Sequence, residues 1–301
     1  MSLEESLQAT GAKVTVGAPL AKRAYWRVGG PAEFLVEPTT PEQLAAVLAL
    51  GPVTVLGNGS NALIHDEGIP GIVVRLRGEL AGLQLAGDSA LAGGGLLLTV
   101  LLKRLDDAGL GGCEPFVGVP GTVGGAVVMN AGTRLGEASD IIESVEVALP
   151  SGQLVCLSAS ALRFAYRHAE LPAGSVVTRA KLRVVPDPDG ARRARRKEFL
   201  ARRKATQPLD LPSCGSTFTN PEGDFAGRLI EAAGLKGCTR GGARISEKHA
   251  NFIVNLGGAS AEDIRWLIAH ARCTVRDHFD VWMTPEVKLL GCWDADALEV
   301  A

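Results

Sequence analysis

The order of predicted strands and helices indicates an α+β protein in three parts. Residues 20–76 alternate short apolar strands with one helix, which is typical of an α/β unit. Short strands dominate residues 83–185, and the last hundred residues alternate between strands and helices again. The turn-rich segment PDPDG at 186–190 and a change of pattern near residue 77 mark the boundaries. A chain of 301 residues is long enough for two or three domains.

One helix is predicted among the strands of the first part. Thr40 is placed to cap it, with Pro41 in its first turn and Gln43 completing a capping box. Gly51 and the proline after it end this helix. The predicted strands of this part are FLVE (34–37), VTVLG (53–57) and GIVVRL (71–76).

The second and third parts contain four more predicted helices. They span 96–110, the basic segment 191–204 with eight Lys or Arg, 224–234, and a segment capped by Ser260. The predicted strands are LQLAG, AVVMN, SVEVAL, LVCLS, VVTRAKLRVV, NFIVNL and PEVKLLG.

Composition narrows the class of protein. The net charge of −2 gives no reason to expect a nucleic-acid or membrane partner. The acidic segment MSLEESLQATGAKV does not resemble a secretory signal, and no run reaches the roughly 18 apolar residues of a membrane span. The six cysteines form no C-x-x-C pair, which argues against a zinc site or a disulfide framework. We therefore expect a soluble cytoplasmic protein without a metal site.

The first glycine-rich loop, VLGNGSNALIHDEG at 55–68, follows a predicted strand. Gly57, Gly59 and Ala62 satisfy the dinucleotide pattern G-x-G-x-x-G/A, but that fingerprint requires a helix directly after the loop. Further glycines and a proline follow instead, so we reject a Rossmann site. Successive backbone N–H groups in such a turn also suit a phosphate. Anion binding and a plain structural turn both remain open.

The second glycine-rich loop lies at 109–132 and interleaves glycine with valine. Its apolar character predicts burial, and its glycines predict a close approach of the backbone to a ligand or another segment. Two such loops suggest one extended phosphate-bearing ligand held between two subdomains. A strained domain junction is the alternative.

Seven sequence blocks follow one another between about residue 14 and residue 292. They are RVGGPAEFLV, VLGNGSNALIHDEGIPGIVV, PFVGVPGTVGGAVVMNAG, CGSTFTNP, AGRLIEAAGLKG, KHANFIVN and PEVKLLG. In these blocks the chain resembles the UDP-N-acetylenolpyruvoylglucosamine reductases, in their compact second type. The resemblance implies the FAD-binding fold of the vanillyl-alcohol oxidase superfamily, with subdomains at 1–76 and 77–190. It also implies a substrate-binding domain at 191–301, whose last strand returns to the first subdomain.

The resemblance implies a reaction. The family uses FAD to carry hydride from NADPH to the enolpyruvyl double bond of UDP-N-acetylglucosamine enolpyruvate. The product is UDP-N-acetylmuramate, a precursor of peptidoglycan, so the expected roles are cell wall biogenesis, cell shape and cell division. The expected partners are these small molecules only, bound by a monomer.

Three residues match the family's catalytic positions. Ser216, in CGSTFTN, corresponds to the proton donor. Arg167, in FAYRHAE, corresponds to the arginine that binds the carboxylate and stabilises the enolate, a task suited to its bidentate fork. Glu286, in TPEVKLLG, corresponds to the glutamate opposite the serine, where developing negative charge raises the pKa of a carboxyl group.

The resemblance also implies which residues bind the substrate and FAD. Lys204 and Asn220 fall where the family contacts substrate, and we expect the basic helix to form a positive wall near the diphosphate. Lys248 and His249 are weaker candidates. The residues expected to bind FAD are Arg27, Gly29, Gly30, Gly57, Asn58, Gly59, Ser60, Asn61, Gly118, Pro120, Gly121, Thr122, Gly124 and Gly125.

The chain departs from the family at two places. Ala24 and Tyr25 stand where the family often has two threonines, so a hydroxyl contact near the flavin is in doubt. Ala169 and Leu171 stand where the family usually has a serine and an aromatic residue, which questions the local support of Arg167.

Two other functions share some of these sequence features. A flavin oxidase of the same superfamily frequently tethers FAD through His or Cys, and here only His65 and Cys113 lie near the loops. An RNA-binding module built on 191–204 needs stacking aromatic residues, and only Phe199 is present there.

Overall fold

The computed structural model describes residues 1–299, and these form two compact units. The first unit contains Met1–Val16, Phe34–Asn58 and Gly71–Arg202. The second contains Gly17–Glu33, Gly59–Pro70 and the chain from Arg203 onward.

The described residues contain seven α-helices and eighteen strands. The helices are α1 (Leu3–Ala9), α2 (Pro41–Leu48), α3 (Leu98–Asp107), α4 (Val123–Val128), α5 (Ala191–Thr206), α6 (Ala226–Ala232) and α7 (Ala261–Phe279). The strands are β1 (Lys13–Pro19), β2 (Pro31–Glu37), β3 (Val53–Val55), β4 (Ala62–Ile64), β5 (Ile69–Val74), β6 (Leu83–Ala86), β7 (Ser89–Gly93), β8 (Leu110–Gly111), β9 (Gly132–Thr133), β10 (Gly136–Glu137), β11 (Ile142–Ala148), β12 (Leu154–Ser158), β13 (Val176–Arg183), β14 (Val185–Pro186), β15 (Thr239–Arg240), β16 (Ala243–Ile245), β17 (Ile253–Asn255) and β18 (Lys288–Leu290).

An antiparallel sheet of order β12-β11-β13-β7-β6 organises the first unit. Helix α4 packs against β13 and β7, and the inward faces of α3 and α4 share a core with these strands. A second sheet has the order β1-β2-β5-β3, in which β3 and β5 run parallel. Leu44, Val47 and Leu48 of α2 are buried in the core beside this second sheet.

The second unit is built around α7. This helix packs against β15 and β16 of a three-stranded antiparallel sheet, and α6 packs beside it. Ser260 caps α7 as expected, in a capping box with Asp263. Strand β18 pairs in parallel with β4, so the last strand joins a segment within the first 76 residues.

The three predicted parts differ from the two units of the structure. Residues 1–76 contribute to both units, and the later division falls after Arg202, inside α5, instead of near residue 190. The reason is that the amino-terminal end of α5 is bound to the first unit. Arg192 pairs with Glu114 at 3.0 Å, and Arg196 forms an ion pair with Asp106 on α3.

Two local predictions were wrong. The segment AVVMN (126–130), expected as a strand, lies mostly in α4, because Thr122 caps a helix and accepts a hydrogen bond from the Gly125 N–H at 3.3 Å. Gln43 does not complete a capping box on Thr40. Its side-chain oxygen accepts the N–H of Thr39 at 2.8 Å instead, although Thr40 caps α2 as predicted.

Candidate functional site

The two glycine-rich loops of the sequence meet within the first unit. Gly57 follows β3, and Thr122 precedes α4. A Cβ atom added to Gly57 would lie 2.8 Å from the hydroxyl oxygen of Thr122, closer than packed atoms allow. Arg75 donates a hydrogen bond from Nε to the Gly57 carbonyl at 3.2 Å. The fold therefore brings two of the predicted cofactor residues together.

The loop before α4 is shaped by glycines in the left-handed region. Gly118 has φ +70° and Gly121 has φ +134°, values that favour glycine. Pro120 lies between them, and Thr122 then caps the helix. The predicted residues of the second loop therefore form one turn that leads directly into α4.

Gly124 and Gly125 are adjacent but have different surroundings. The N–H of Gly124 donates to the Gly94 carbonyl at 2.8 Å, and an added Cβ would lie 3.0 Å from that oxygen. Gly125 is exposed, and its Cβ would meet only Thr122 Oγ1, at an ordinary 3.6 Å. Packing therefore explains Gly124 but not Gly125. A glycine in a helix costs about 0.5–1 kcal/mol relative to alanine, so Gly125 carries that cost without serving the protein's own packing.

The exposed Gly125 bears on whether FAD fits this unit. Its missing side chain leaves space beside the glycine-rich loop for a ligand to approach the first turn of α4 closely. The N–H groups of Val123, Gly124 and Gly125 are bonded to Leu96, Gly94 and Thr122, so what this surface offers FAD is room for close approach. The residues present are thus compatible with the cofactor that the sequence implies.

In the second unit, packing accounts for three predicted cofactor glycines. Cβ atoms at Gly29 and Gly30 would lie within 2.6 Å of atoms in the segment 64–68. Gly59 has φ +62°, and its Cβ would lie 2.5 Å from the Arg23 carbonyl oxygen. The sequence left anion binding and a plain structural turn open for the first glycine-rich loop. Packing alone requires glycine at these three positions, so their presence is explained by a structural turn without a bound anion.

The neighbouring predicted residues occupy the same two turns. Arg27 is exposed and has φ +57°, which is uncommon for a residue with a side chain. The N–H of Tyr25 donates to the Gly59 carbonyl at 3.0 Å, and Ala24 is buried beneath Gly59. The departures at 24 and 25 are therefore part of the packing around this loop. Asn58 and Ser60, on either side of Gly59, are partly buried.

Ser216 and Glu286 lie on adjoining segments of the second unit. Residues 217–219 run antiparallel to residues 284–286, with a bridge between Phe218 and Pro285. The N–H of Glu286 donates to the Thr217 carbonyl at 2.9 Å. Both Ser216 and Glu286 are partly exposed. The structure therefore places the predicted proton donor and the predicted glutamate in one local arrangement, although 70 residues of sequence separate them.

Asn61 connects the first glycine-rich loop to Glu286. Its side-chain amide donates to the Glu286 carbonyl at 3.0 Å, and its own carbonyl accepts the N–H of Lys288 at 3.0 Å. Asn61 was predicted as a cofactor residue, and these bonds give it a structural task that the sequence pattern did not reveal.

Cys214 is buried close to Ser216. Its Sγ lies 3.7 Å from the carbonyl oxygens of both Gly59 and Ala62. Burial raises the pKa of this thiol to about 12, so it is neutral at pH 7. Cys214 is therefore a packing residue, buried against two main-chain carbonyl oxygens.

Arg167 sits in a tight turn of the first unit. Ala165 and His168 exchange two main-chain hydrogen bonds of 3.0 Å, and Arg167 between them has φ +58°. Its Nη2 donates to the Gly132 carbonyl at 3.4 Å, and its guanidinium lies 5.0 Å from the Tyr166 ring centre. A strained backbone that surrounding bonds hold in place is common at functional sites.

A buried asparagine anchors this turn. Asn130, which has φ +40°, donates from Nδ2 to the Ala165 carbonyl at 3.0 Å and to Glu137 at 2.8 Å. Its Oδ1 accepts the N–H of Ser139 at 2.9 Å. The departures after Arg167 are apolar residues within the same unit, since Ala169 is buried and Leu171 packs against the core.

The two residues predicted to bind substrate, Asn220 and Lys204, each make a separate local contact. Asn220 is exposed, and its Oδ1 accepts the N–H of Ala226 at 3.1 Å at the start of α6. Lys204 is exposed, and its main-chain carbonyl oxygen accepts a hydrogen bond from Nζ of Lys248 at 2.7 Å. Burial lowers the pKa of His249, whose ring packs against Phe252.

The basic helix does not present all of its charge as a continuous wall. Arg192, Arg193 and Arg196 face carboxylates of the first unit, with Arg196 almost fully buried beside Asp106. The carboxylate of Asp187 accepts main-chain N–H groups at the start of the helix. The expectation of a positive wall along the whole of 191–204 is therefore wrong for its first turns.

Two protein-family models match this chain, one in its amino-terminal half and one in its carboxy-terminal half. Residues 32–158 match the family described as FAD binding domain, and residues 207–290 match UDP-N-acetylenolpyruvoylglucosamine reductase, C-terminal domain. The UDP-N-acetylenolpyruvoylglucosamine reductase of Anaeromyxobacter dehalogenans (strain 2CP-C) is 46% identical over 286 residues, which cover 93% of this chain and 87% of the relative. The chain belongs to the UDP-N-acetylenolpyruvoylglucosamine reductase family.

Two further members of the family support the assignment. The reductase of Myxococcus xanthus (strain DK1622) is 44% identical over 290 residues, covering 93% of each chain. The crystal structure of the reductase from Thermus caldophilus superposes with a TM-score of 0.82 at 40% identity, covering 93% of this chain and 98% of that one. The chain thus has an FAD-binding fold of α+β content and is an oxidoreductase that uses FAD and NADPH.

Neither a membrane helix nor a metal cluster emerges from residues 1–299. No helix in that range is long and apolar enough to cross a membrane. The same range holds no group of three or more His, Cys, Asp or Glu side chains disposed to bind a metal ion.

Proposed function

We propose that this chain reduces the enolpyruvyl group of UDP-N-acetylglucosamine enolpyruvate with NADPH, giving UDP-N-acetylmuramate for peptidoglycan synthesis. Membership of the reductase family carries the proposal, and the shared arrangement of Ser216 and Glu286 supports it. The enzyme acts in the cytoplasm as a monomer, and its product supports cell wall growth, cell shape and cell division.

The chemistry sets two tasks for the protein. When bound, FAD carries the hydride from NADPH to the β-carbon of the enolpyruvyl group. Negative charge then develops at the α-carbon, beside the substrate carboxylate. The chain must stabilise that charge and deliver one proton to the α-carbon.

Ser216 delivers the proton and Glu286 assists from the adjoining segment. A serine hydroxyl is a weak acid, but the carbanion at the α-carbon is a strong base, so the transfer is feasible. The Ser216 Oγ gives its proton to the α-carbon and recovers one from solvent. The main-chain bond between Glu286 and Thr217 keeps the two segments in register, which supports a shared task.

Arg167 binds the substrate carboxylate and the enolate that forms from it. A guanidinium offers paired N–H donors to two oxygens and stays charged throughout. The turn that holds Arg167 at φ +58° limits the directions its side chain can take. Such preorganisation lowers the cost of ordering the group when substrate binds.

The cofactor and substrate are held by the remaining predicted residues. The residues that bind FAD are Arg27, Gly29, Gly30, Gly57, Asn58, Gly59, Ser60, Asn61, Gly118, Pro120, Gly121, Thr122, Gly124 and Gly125. Lys204 and Asn220 contact the UDP sugar. The exposed Gly125, which packing does not explain, supports the first of these assignments most strongly.

One experiment tests the function as a whole. The purified protein should carry flavin absorbance, release its FAD on acid precipitation, and oxidise NADPH only when the enolpyruvyl UDP sugar is present. NADPH oxidation at an equal rate without the sugar would indicate an oxidase and would contradict the proposal. Gel filtration should give the mass of one 31.4 kDa chain.

A further inference from the structure

Asn251 pairs with the segment that follows Ser216 as a neighbouring strand would. Its side-chain Oδ1 accepts the N–H of Phe218 at 2.9 Å, and its Nδ2 donates to the Phe218 carbonyl at 2.8 Å. The main-chain carbonyl of Asn251 accepts the N–H of Thr217 at 2.8 Å. Asn251 is 4% exposed and Phe218 is 1% exposed, so these bonds are shielded from water.

The opposite edge of the same segment is held by residues 284–286. The N–H of Thr219 donates to the Thr284 carbonyl at 3.0 Å, and the N–H of Glu286 donates to the Thr217 carbonyl at 2.9 Å. Residues 217–219 are therefore hydrogen bonded on both sides, directly after the predicted proton donor. This arrangement fixes the main chain from which the Ser216 side chain projects.

The two side-chain bonds require an amide. Phe218 presents one donor and one acceptor, and an asparagine side chain offers the complementary pair at the correct length. A carboxylate has no proton to donate to the Phe218 carbonyl, and a leucine of similar size satisfies neither group. Because both Phe218 groups are buried, either change leaves polar atoms without a partner and shifts the local main chain.

We propose that Asn251 is a positioning residue for the proton transfer, acting by holding the Phe218 main chain and thereby the Ser216 hydroxyl. This inference rests on the proposed role of Ser216 as donor. The hydride reaches the β-carbon, the Ser216 Oγ gives its proton to the α-carbon, and solvent returns a proton to Ser216. Asn251 takes no part in these bond changes and touches neither substrate nor cofactor.

The test measures the two half-reactions of the flavin-loaded enzyme separately by stopped flow. In Asn251→Leu and Asn251→Asp, flavin reduction by NADPH should stay within about twofold of the wild-type rate, because that step needs no proton from Ser216. Reoxidation by the enolpyruvyl UDP sugar should slow by about 10- to 100-fold, the range expected when a reacting group moves by about 1 Å.

Asn251→Asp adds a readout that a purely structural role would not change. The protonated form of the introduced carboxyl can donate to the Phe218 carbonyl, so reoxidation should recover relative to wild type as the pH falls. His249, whose Nδ1 accepts the Asn251 N–H at 3.3 Å, and Glu286 are ionisable residues near this segment in both proteins. Comparison with wild type at each pH removes their contribution.

Thr217→Val is the matched control. Thr217 lies on the same segment and is 1% exposed, and its side-chain oxygen has no hydrogen-bond partner among residues 1–299. Valine keeps the size and both main-chain bonds, so both half-reactions should run at the wild-type rate. If reoxidation is also slow in Thr217→Val, then any change near Ser216 impairs this step, and the specific role of Asn251 is overturned.

The double variant separates this inference from the proposed function. Adding Asn251→Leu to Ser216→Ala should slow reoxidation no further, since the positioned group is gone. If Ser216→Ala alone reoxidises at the wild-type rate, the proposed donor is wrong and the inference falls with it. If Ser216→Ala is slow but both folded Asn251 variants are fast, only the inference is wrong. Failure of both Asn251 variants to fold would assign the bonds to core stability and overturn it too.

Discussion

The side-chain amide of Asn61 donates a 3.0 Å hydrogen bond to the main-chain carbonyl of Glu286, across 225 residues of sequence. Asn61 belongs to the glycine-rich turn that was predicted to face FAD, and Glu286 was predicted to face the substrate. Within the second unit, this bond connects a residue proposed to bind the cofactor to one proposed to act in catalysis. The same unit holds Ser216 on the segment beside Glu286, and both residues are proposed to act in the transfer of a proton to the substrate.

Ser216→Ala should separate the two half-reactions. Flavin reduction by NADPH should remain near the wild-type rate, because no proton from Ser216 is needed there. Reoxidation of the reduced enzyme by the sugar substrate should slow by at least about 100-fold, which is typical of lost general acid catalysis. Stopped-flow mixing of pre-reduced enzyme with substrate isolates this step.

Two variants control that result. Ser213→Ala changes a serine of the same loop that has no proposed role, and it should reoxidise normally. Ser216→Cys supplies a group with a lower pKa than a hydroxyl and should partly restore the transfer. Wild-type reoxidation in Ser216→Ala would mean that another group donates the proton.

Arg167→Lys should also impair reoxidation by the substrate. The lysine keeps a positive charge but loses the fork that pairs with two carboxylate oxygens, so a loss of about 10-fold or more is expected. Arg163→Lys is the matched control, because Arg163 is exposed on the same segment and also has a positive φ. Equal rates in the two variants would remove Arg167 from the substrate site.

Gly125→Ala should weaken flavin binding while stabilising the protein without flavin. Alanine suits a helix better than glycine by about 0.5–1 kcal/mol, and the added Cβ meets only Thr122 Oγ1 at 3.6 Å. Flavin-to-protein absorbance ratio and the melting temperature of the flavin-free protein measure the two effects. Full flavin occupancy in the variant would indicate that FAD does not approach Gly125.

Gly59 gives a weaker test of flavin binding than Gly125 does. A side chain at Gly59 would meet the Arg23 carbonyl oxygen at 2.5 Å, and φ there is +62°. Gly59→Val should therefore lower the melting temperature of the flavin-free protein as well as flavin content. Loss of colour in that variant would not by itself identify a flavin contact.

Asp106→Asn should destabilise the first unit through Arg196. The Arg196 guanidinium is almost fully buried, and burial lowers its pKa, so removal of the carboxylate leaves a poorly compensated charge. The free energy of unfolding should fall by about 3 kcal/mol, measured by urea titration. Lys103→Ala breaks the exposed Lys103–Asp107 pair on the same helix and should cost only about 0.5 kcal/mol. If both variants lose only about 0.5 kcal/mol in the free energy of unfolding, the Arg196 guanidinium is solvated.

Local sequence signals predicted many elements correctly. Thr40 and Ser260 cap helices as expected, because a cap needs only a side-chain oxygen and the next three residues. The Rossmann fingerprint at Gly57 was rejected for want of a following helix, and the structure has strand β4 there. The strand predicted at 126–130 failed because its valines also suit a buried helix once Thr122 caps it.

The sequence by itself determined the family, the reaction and the candidate residues, since each of these is written in short motifs such as CGSTFTN and TPEVKLLG. The tertiary structure alone decided which residues support them. Asn251 contacts Phe218 across 33 residues, and Asn61 contacts Glu286 across 225. Hydrogen bonds between residues so far apart depend on how helices and strands pack, and no local pattern of residue types specifies that packing.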